Sequence, residues 1–188
     1  PPPTQPATLA VKPKTSSGLS NLIVDGSPNF LAIQLPSRSA VDYDQLLALV
    51  KEHGFKLETS NRRWWLRDRH KTLNFMAEHY EALQVNHRAH FTANFEKQFR
   101  QLELATVKTD VAQIGDEFEV SLTLGSANDT TTIQSELTRG RMYWDSGDKL
   151  IIVPQKTVKA FSQLQQKLDN NPARPLTAKS KIRLRPWQ

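Results

Sequence analysis

The chain has 188 residues, of which 38% are apolar, enough to bury one sizeable core or two small ones. It has no cysteine, which excludes a disulfide scaffold, a thiolate metal cluster and a cysteine nucleophile. No run approaches the eighteen apolar residues of a membrane-spanning helix, and the formal charge of +6 points toward nucleic acid. That charge is unevenly placed. Residues 1–24 carry Lys12 and Lys14 and no acid, residues 172–188 carry Arg174, Lys179, Lys181, Arg183 and Arg185 and no acid, and the stretch between is nearly neutral.

Residues 1–20 hold five prolines and little to bury, so 1–24 reads as a flexible Pro-rich linker. No charged n-region precedes an apolar stretch, so the expected location is cytoplasmic. Phe30 to Leu35 reads as a short buried strand stopped by Pro36. Asp42 is placed to cap a helix over 43–53, ended by Gly54. Short strands follow at 55–58 and 63–66 around a Thr59-Ser60-Asn61 turn. Asp68 caps a second helix over 69–84, and the spacing of Phe91, Phe95, Phe99 and Leu102 predicts a third over 92–102. The period then changes to two. Strand-like stretches over 103–114 and 117–124 flank Gly115-Asp116, a hairpin turn.

Asp129 is placed to cap a short helix reaching Thr138. Met142 to Trp144 and Leu150 to Val153 form a second hairpin around Asp145–Asp148, and Pro154 and Thr157 open a last amphipathic helix. From Asn170 onward the composition is that of a basic linker. The expected fold class is α+β, short helices plus antiparallel hairpins, as one unit or as two small subdomains: 25–102, mainly helical with short strands, and 103–169, hairpin plus helix.

Little in this pattern carries catalytic chemistry. Seven scattered glycines form no phosphate-cradling loop, so ATP binding by this stretch alone is not expected. His87 and His90 share a helical spacing but lack a fixed third ligand, so no metal is expected. The carboxylates at Asp116, Glu117 and Glu119, and at Asp145 and Asp148, sit at turns, where Asp favours turn hydrogen bonding. No G-x-S-x-G elbow occurs. No catalytic residue is assigned.

The most distinctive composition is Arg62, Arg63, Trp64, Trp65, Arg67, Arg69 and Lys71 within ten residues, opposed only by Asp68. Two readings stand. Arg and Lys neutralise phosphates while indoles stack on unpaired bases. Equally, adjacent tryptophans in a strand point to opposite faces, so at least one is core, and the arginines pair with nearby glutamates or stack on the indoles.

The chain closes on Leu184-Arg185-Pro186-Trp187-Gln188. This resembles the L-R-P-aromatic-Q string that opens the ATPase core of Swi/Snf-family helicase-like proteins, with Trp187 where the family more often has Tyr. Gly140-Arg141-Met142-Tyr143, the Asp145–Asp148 turn and the helix over 157–168 are similar to the segment preceding that core in bacterial members, although Ser146 and Gly147 separate the two acids. The resemblance implies that Trp187 and Gln188 lie on the adenine side of a nucleotide site, and that 170–188 is a basic linker into a C-terminal ATPase motor of the same parent chain. It also implies that the parent uses ATP and magnesium and acts on double-stranded DNA. The expectation for this stretch is a non-catalytic accessory module assisting DNA contact or motor regulation. The competing expectation is a protein-interaction or autoinhibitory module that never meets nucleic acid.

Overall fold

Alternating side chains and two-residue turns build three small sheets, and helices cover them. A computed structural model describes residues 21–125 and 130–185. The first sheet is formed by β1 (Ile23–Ser27), β2 (Phe30–Gln34), β3 (Lys56–Glu58), β4 (Arg63–Leu66) and β5 (His90–Phe91), in the order β3-β4-β2-β1-β5. Only the β1–β5 pairing in it is parallel. Helices α1 (Tyr43–Glu52), α2 (Arg69–Val85) and α3 (Ala93–Gln98) complete this half. Its core gathers Val24, Leu31 and Ile33 from the sheet with Leu46, Val50, Leu73, Phe75, Met76 and Phe95 from the helices.

The second half contains β6 (Leu102–Leu104), β7 (Val107–Ile114), β8 (Glu117–Leu124), α4 (Thr130–Thr138), β9 (Tyr143–Ser146), β10 (Lys149–Ile152), α5 (Gln155–Leu168) and β11 (Lys179–Leu184). β11, β8 and β7 form one antiparallel sheet, whereas β6, β10 and β9 form another in which β6 runs parallel to β10. A second core collects Leu122, Leu124, Ile133, Phe161 and Ile182. The fold is thus α+β, with five helices among the described residues and mainly antiparallel sheets.

The β9–β10 hairpin belongs to both cores. Side chains alternate across a strand. Tyr143, Leu150 and Ile152 therefore enter the first core, while Trp144, Ile151 and Val153 enter the second. Polar contacts fix the same hairpin to α2. Asn74 donates to the Gly140 carbonyl at 3.2 Å and accepts from the Met142 N–H at 3.0 Å, continuing a strand-like ladder with a side chain.

Caps explain why the helices start where they do. The Asp68 carboxylate accepts from the Lys71 N–H at 2.8 Å, and the Thr92 hydroxyl accepts from the Phe95 N–H at 3.1 Å. Asp42 precedes α1 as expected but makes no capping bond; its carboxylate is instead 2.9 Å from His87 Nδ1. Asp129 lies outside the described residues.

Four segments differ from the sequence expectation. Ile23 and Val24, read as linker, belong to β1, where Val24 is fully buried. The third helix ends at Gln98 instead of near 102, and Leu102–Leu104 leaves to pair with β10, about fifty residues further on. That stretch is therefore separate from β7, whereas the sequence pattern predicts a single strand-like stretch over 103–114. The largest difference is the basic ending. Lys179–Leu184 is a strand whose small and apolar residues, Ser180 and Ile182, are buried while Lys179, Lys181 and Arg183 face out. Its cations meet acids on β8. Lys181 is 3.1 Å from Glu119, and Arg183 and Arg185 lie 4.0 Å from Glu119 and Glu117.

Candidate nucleic-acid interface

The turn between β3 and β4 is built by Asn61. Its amide donates to Glu58 at 3.1 Å and its oxygen accepts from the Arg63 N–H at 3.0 Å, a side-chain turn mimic. Between them Arg62 is held at φ 56°, a left-handed conformation unusual for an arginine. From there β4 sends successive side chains to opposite faces.

Trp64 turns toward the first core and packs against it half-buried. Beside it opens a cleft of about 690 Å³ lined by Arg38, Tyr43, Leu57, Thr59, Arg62 and Trp64, among others. Arg38 and Arg62 make no hydrogen bond or ion pair among the described residues. Two free guanidinium groups therefore share a cleft with two aromatic rings.

The other face is different. Trp65 tilts against Phe30 at 5.7 Å, and the Arg67 guanidinium covers its ring at 4.5 Å. The Arg67 guanidinium thus already occupies a face of the indole that a base would need. Arg67 is 3.5 Å from Glu58, Arg63 is 3.9 Å from Asp25, and Arg69 grips Asp145 of the β9–β10 hairpin with contacts of 3.0 and 3.1 Å. Lys71 is exposed in the first turn of α2, with its side chain unpaired among the described residues. The seven residues of the basic-aromatic stretch thus divide. Arg62 and Trp64 meet in the cleft, Lys71 stands apart, and Arg63, Trp65, Arg67 and Arg69 serve the fold. Arg38 completes the cleft from the β2–α1 connection, 24 positions away in sequence. Trp187 and Gln188 lie outside the described residues.

Asp25, the partner of Arg63, is tuned by its neighbours. Burial on its own raises the carboxyl pKa. Hydrogen bonds from the Thr92 hydroxyl at 2.6 Å, the Asn94 amide at 2.9 Å and the Gly26 N–H at 2.8 Å, with Arg63 alongside, outweigh it and hold the group below its ordinary 3.8. A carboxylate whose folded pKa is depressed adds stability above its unfolded pKa, and that stability is lost as pH falls through the folded value. The melting-temperature gap between the wild type and Asp25→Asn is therefore expected to be widest near neutrality and to close below pH about 4. Melts across the acid range check this, and a gap independent of pH would contradict it.

Three ligand-type side chains also converge where α1 ends against α2: His53, Glu78 and His79. His87, by contrast, is spent on Asp42, and His90 is exposed on β5.

Fold and cleft together define an α+β protein with a basic-aromatic groove beside a five-stranded sheet. Comparison of the chain with protein-family models, curated proteins and solved structures finds no match.

Proposed function

We propose that this chain is a non-catalytic accessory module that contacts nucleic acid through the Arg38–Tyr43–Arg62–Trp64 cleft, beside a Swi/Snf-like motor in a longer parent protein. The observation that carries the reading is the pair of unpaired guanidinium groups flanking aromatic rings in one cleft. Elsewhere in the same stretch the arginines are neutralised by acids, so a basic group left free beside a tryptophan is the exception. The proposed contact is to phosphate, because what the cleft offers among the described residues is guanidinium groups beside aromatic rings and not a helix face aimed at a groove. The motor context comes from the resemblance of Leu184 to Gln188 to a motor entry string. Leu184, its first residue, pairs with Phe118 in the β11–β8 ladder, so the string starts on a strand of the folded sheet.

A salt-series titration of duplex DNA against the 188-residue chain tests the proposal. Each phosphate neutralised contributes roughly −0.9 to the slope of log affinity against log salt. Arg62→Gly relieves the left-handed strain while removing the charge, so it leaves the fold intact or firmer. Combined with Arg38→Ala, it is expected to weaken binding about tenfold and flatten the slope by about 1 to 2. Arg67→Ala, which removes a cation already paired with Glu58, is expected to change neither much. Binding unaltered by the double variant would dismiss the cleft.

A second reading, docking of a protein surface, is favoured by one feature. β7 is an edge strand, and Val111, Ile114 and Phe118 on the β7–β8 hairpin are 64%, 47% and 39% exposed. Such edges invite strand pairing. Failure of DNA to bind at low salt selects this reading.

A further inference from the structure

We propose that His53, Glu78 and His79 form a binding site for a divalent transition-metal ion, with zinc as the best match, clamping the end of α1 to the middle of α2. This site is independent of the cleft and of the nucleic-acid reading.

The three ligand atoms form a nearly regular triangle. His53 Nε2 and His79 Nε2 are 3.0 Å apart, and Glu78 Oε2 lies 3.5 Å from the first and 3.6 Å from the second. Zinc bound tetrahedrally at about 2.0–2.1 Å from imidazole nitrogen and about 2.0–2.2 Å from carboxylate oxygen requires ligand atoms roughly 3.3–3.5 Å apart. The measured edges bracket that range, so loading needs shifts of only a few tenths of an ångström.

The orientation of His53 is that of a ligand. Its Nδ1 is 3.0 Å from the Leu49 carbonyl, which can only accept, so Nδ1 carries the proton and Nε2 presents its lone pair to the triangle. A backbone carbonyl holding the far nitrogen is the usual support for a metal-bound imidazole. Without an ion, two Nε2 atoms at 3.0 Å require a proton between them, carried by His79; in the tautomer that holds this proton on Nδ1, both Nε2 lone pairs face the ion. Burial pushes the His79 imidazole below its ordinary value of 6.5, opposed by Glu78 and aided by His53.

The surroundings also fit. Phe75 packs edge-on to His53 at 5.1 Å and against His79 at 4.9 Å, fixing both rings on an apolar floor. Glu78 is exposed, so the carboxylate side is open and leaves a fourth position for water or an external ligand. Two imidazoles with one carboxylate favour zinc or its neighbours over magnesium and calcium, which prefer all-oxygen sets.

The test uses the 188-residue chain freed of metal by chelation. Titration with Co²⁺ is expected to produce the visible absorption of a four-coordinate ion, removed by added Zn²⁺, and Zn²⁺ alone is expected to raise the melting temperature in proportion to the logarithm of its excess. Glu78→Gln, at an exposed position that leaves the fold intact, is expected to weaken the affinity at least tenfold, and His79→Gln to abolish the absorption. His87→Gln, outside the triangle, leaves both readouts in place. No absorption and no thermal shift at ion concentrations well above that of the protein would overturn the site. So would uptake that Glu78→Gln and His79→Gln leave unchanged.

Discussion

Removal of residues 179–188 is expected to melt the second core. β11 pairs along its whole length with β8, from Lys179 opposite Thr123 to Leu184 opposite Phe118. Ile182 is 5% exposed, and it shares a core with Val120, Leu122 and Phe161. Losing the strand exposes that apolar face and leaves the backbone groups of β8 on that edge unpaired in one step. Burial of a single isoleucine is worth about 1.5–3 kcal/mol, against a whole-domain stability of about 5–15 kcal/mol. The shortened chain is expected to lose its cooperative thermal transition and bind a hydrophobic dye. Ile182→Ala, the milder version, is expected to cost about 2–5 kcal/mol in a denaturant melt. Lys181→Ala removes only an exposed pair with Glu119 and is expected to cost less than about 1 kcal/mol. A truncated chain that melts like the full one would show that the strand is dispensable.

Gly26→Ala is the second large effect. Gly26 sits in β1 at φ 149°, and an added Cβ would stand 2.3 Å from the Phe30 carbonyl oxygen and 3.1 Å from the Leu31 Cα. Both obstacles are backbone of the paired strand, which cannot swing aside as a side chain would. Strain of this kind costs about 1–3 kcal/mol for the dihedral alone, and the clash adds to it, so a loss of about 3 kcal/mol or more is expected. Gly54→Ala supplies the contrast. At φ 77° it carries a dihedral penalty, but no atom lies within 4 Å of the new methyl. Its cost is expected to stay near 1–2 kcal/mol. Equal losses for the two variants, read by urea unfolding, would show that β1 and β2 part freely at this point.

These strands also show what a sequence can and cannot disclose. Elements with strong local chemistry were legible. Asp68 before an amphipathic run placed α2, and Gly115-Asp116 between alternating residues placed the β7–β8 hairpin. β11 was hidden because its buried residues are only Ser180 and Ile182, one of them small and polar, so its alternation reads as charge rather than as apolar periodicity. β6 was hidden for another reason: three residues carry no period, and its partner β10 lies far along the chain. The candidate cleft was half legible. The Arg/Trp composition located Arg62 and Trp64, but which arginines are free depends on Asp25, Glu58 and Asp145, supplied by three different strands. The His53–Glu78–His79 triangle has no sequence motif at all, since its members meet only once α1 packs on α2.

The β9–β10 hairpin has a consequence for which changes this chain can tolerate. Because its odd and even positions are committed to different cores, inserting or deleting one residue in β10 would exchange Leu150 and Ile152 for Ile151 and Val153 on both sides at once. Neither core could absorb the slip without the other registering it. Substitution here is free within limits of size, but length is not, and the two halves can diverge in composition only while this four-residue strand keeps its parity.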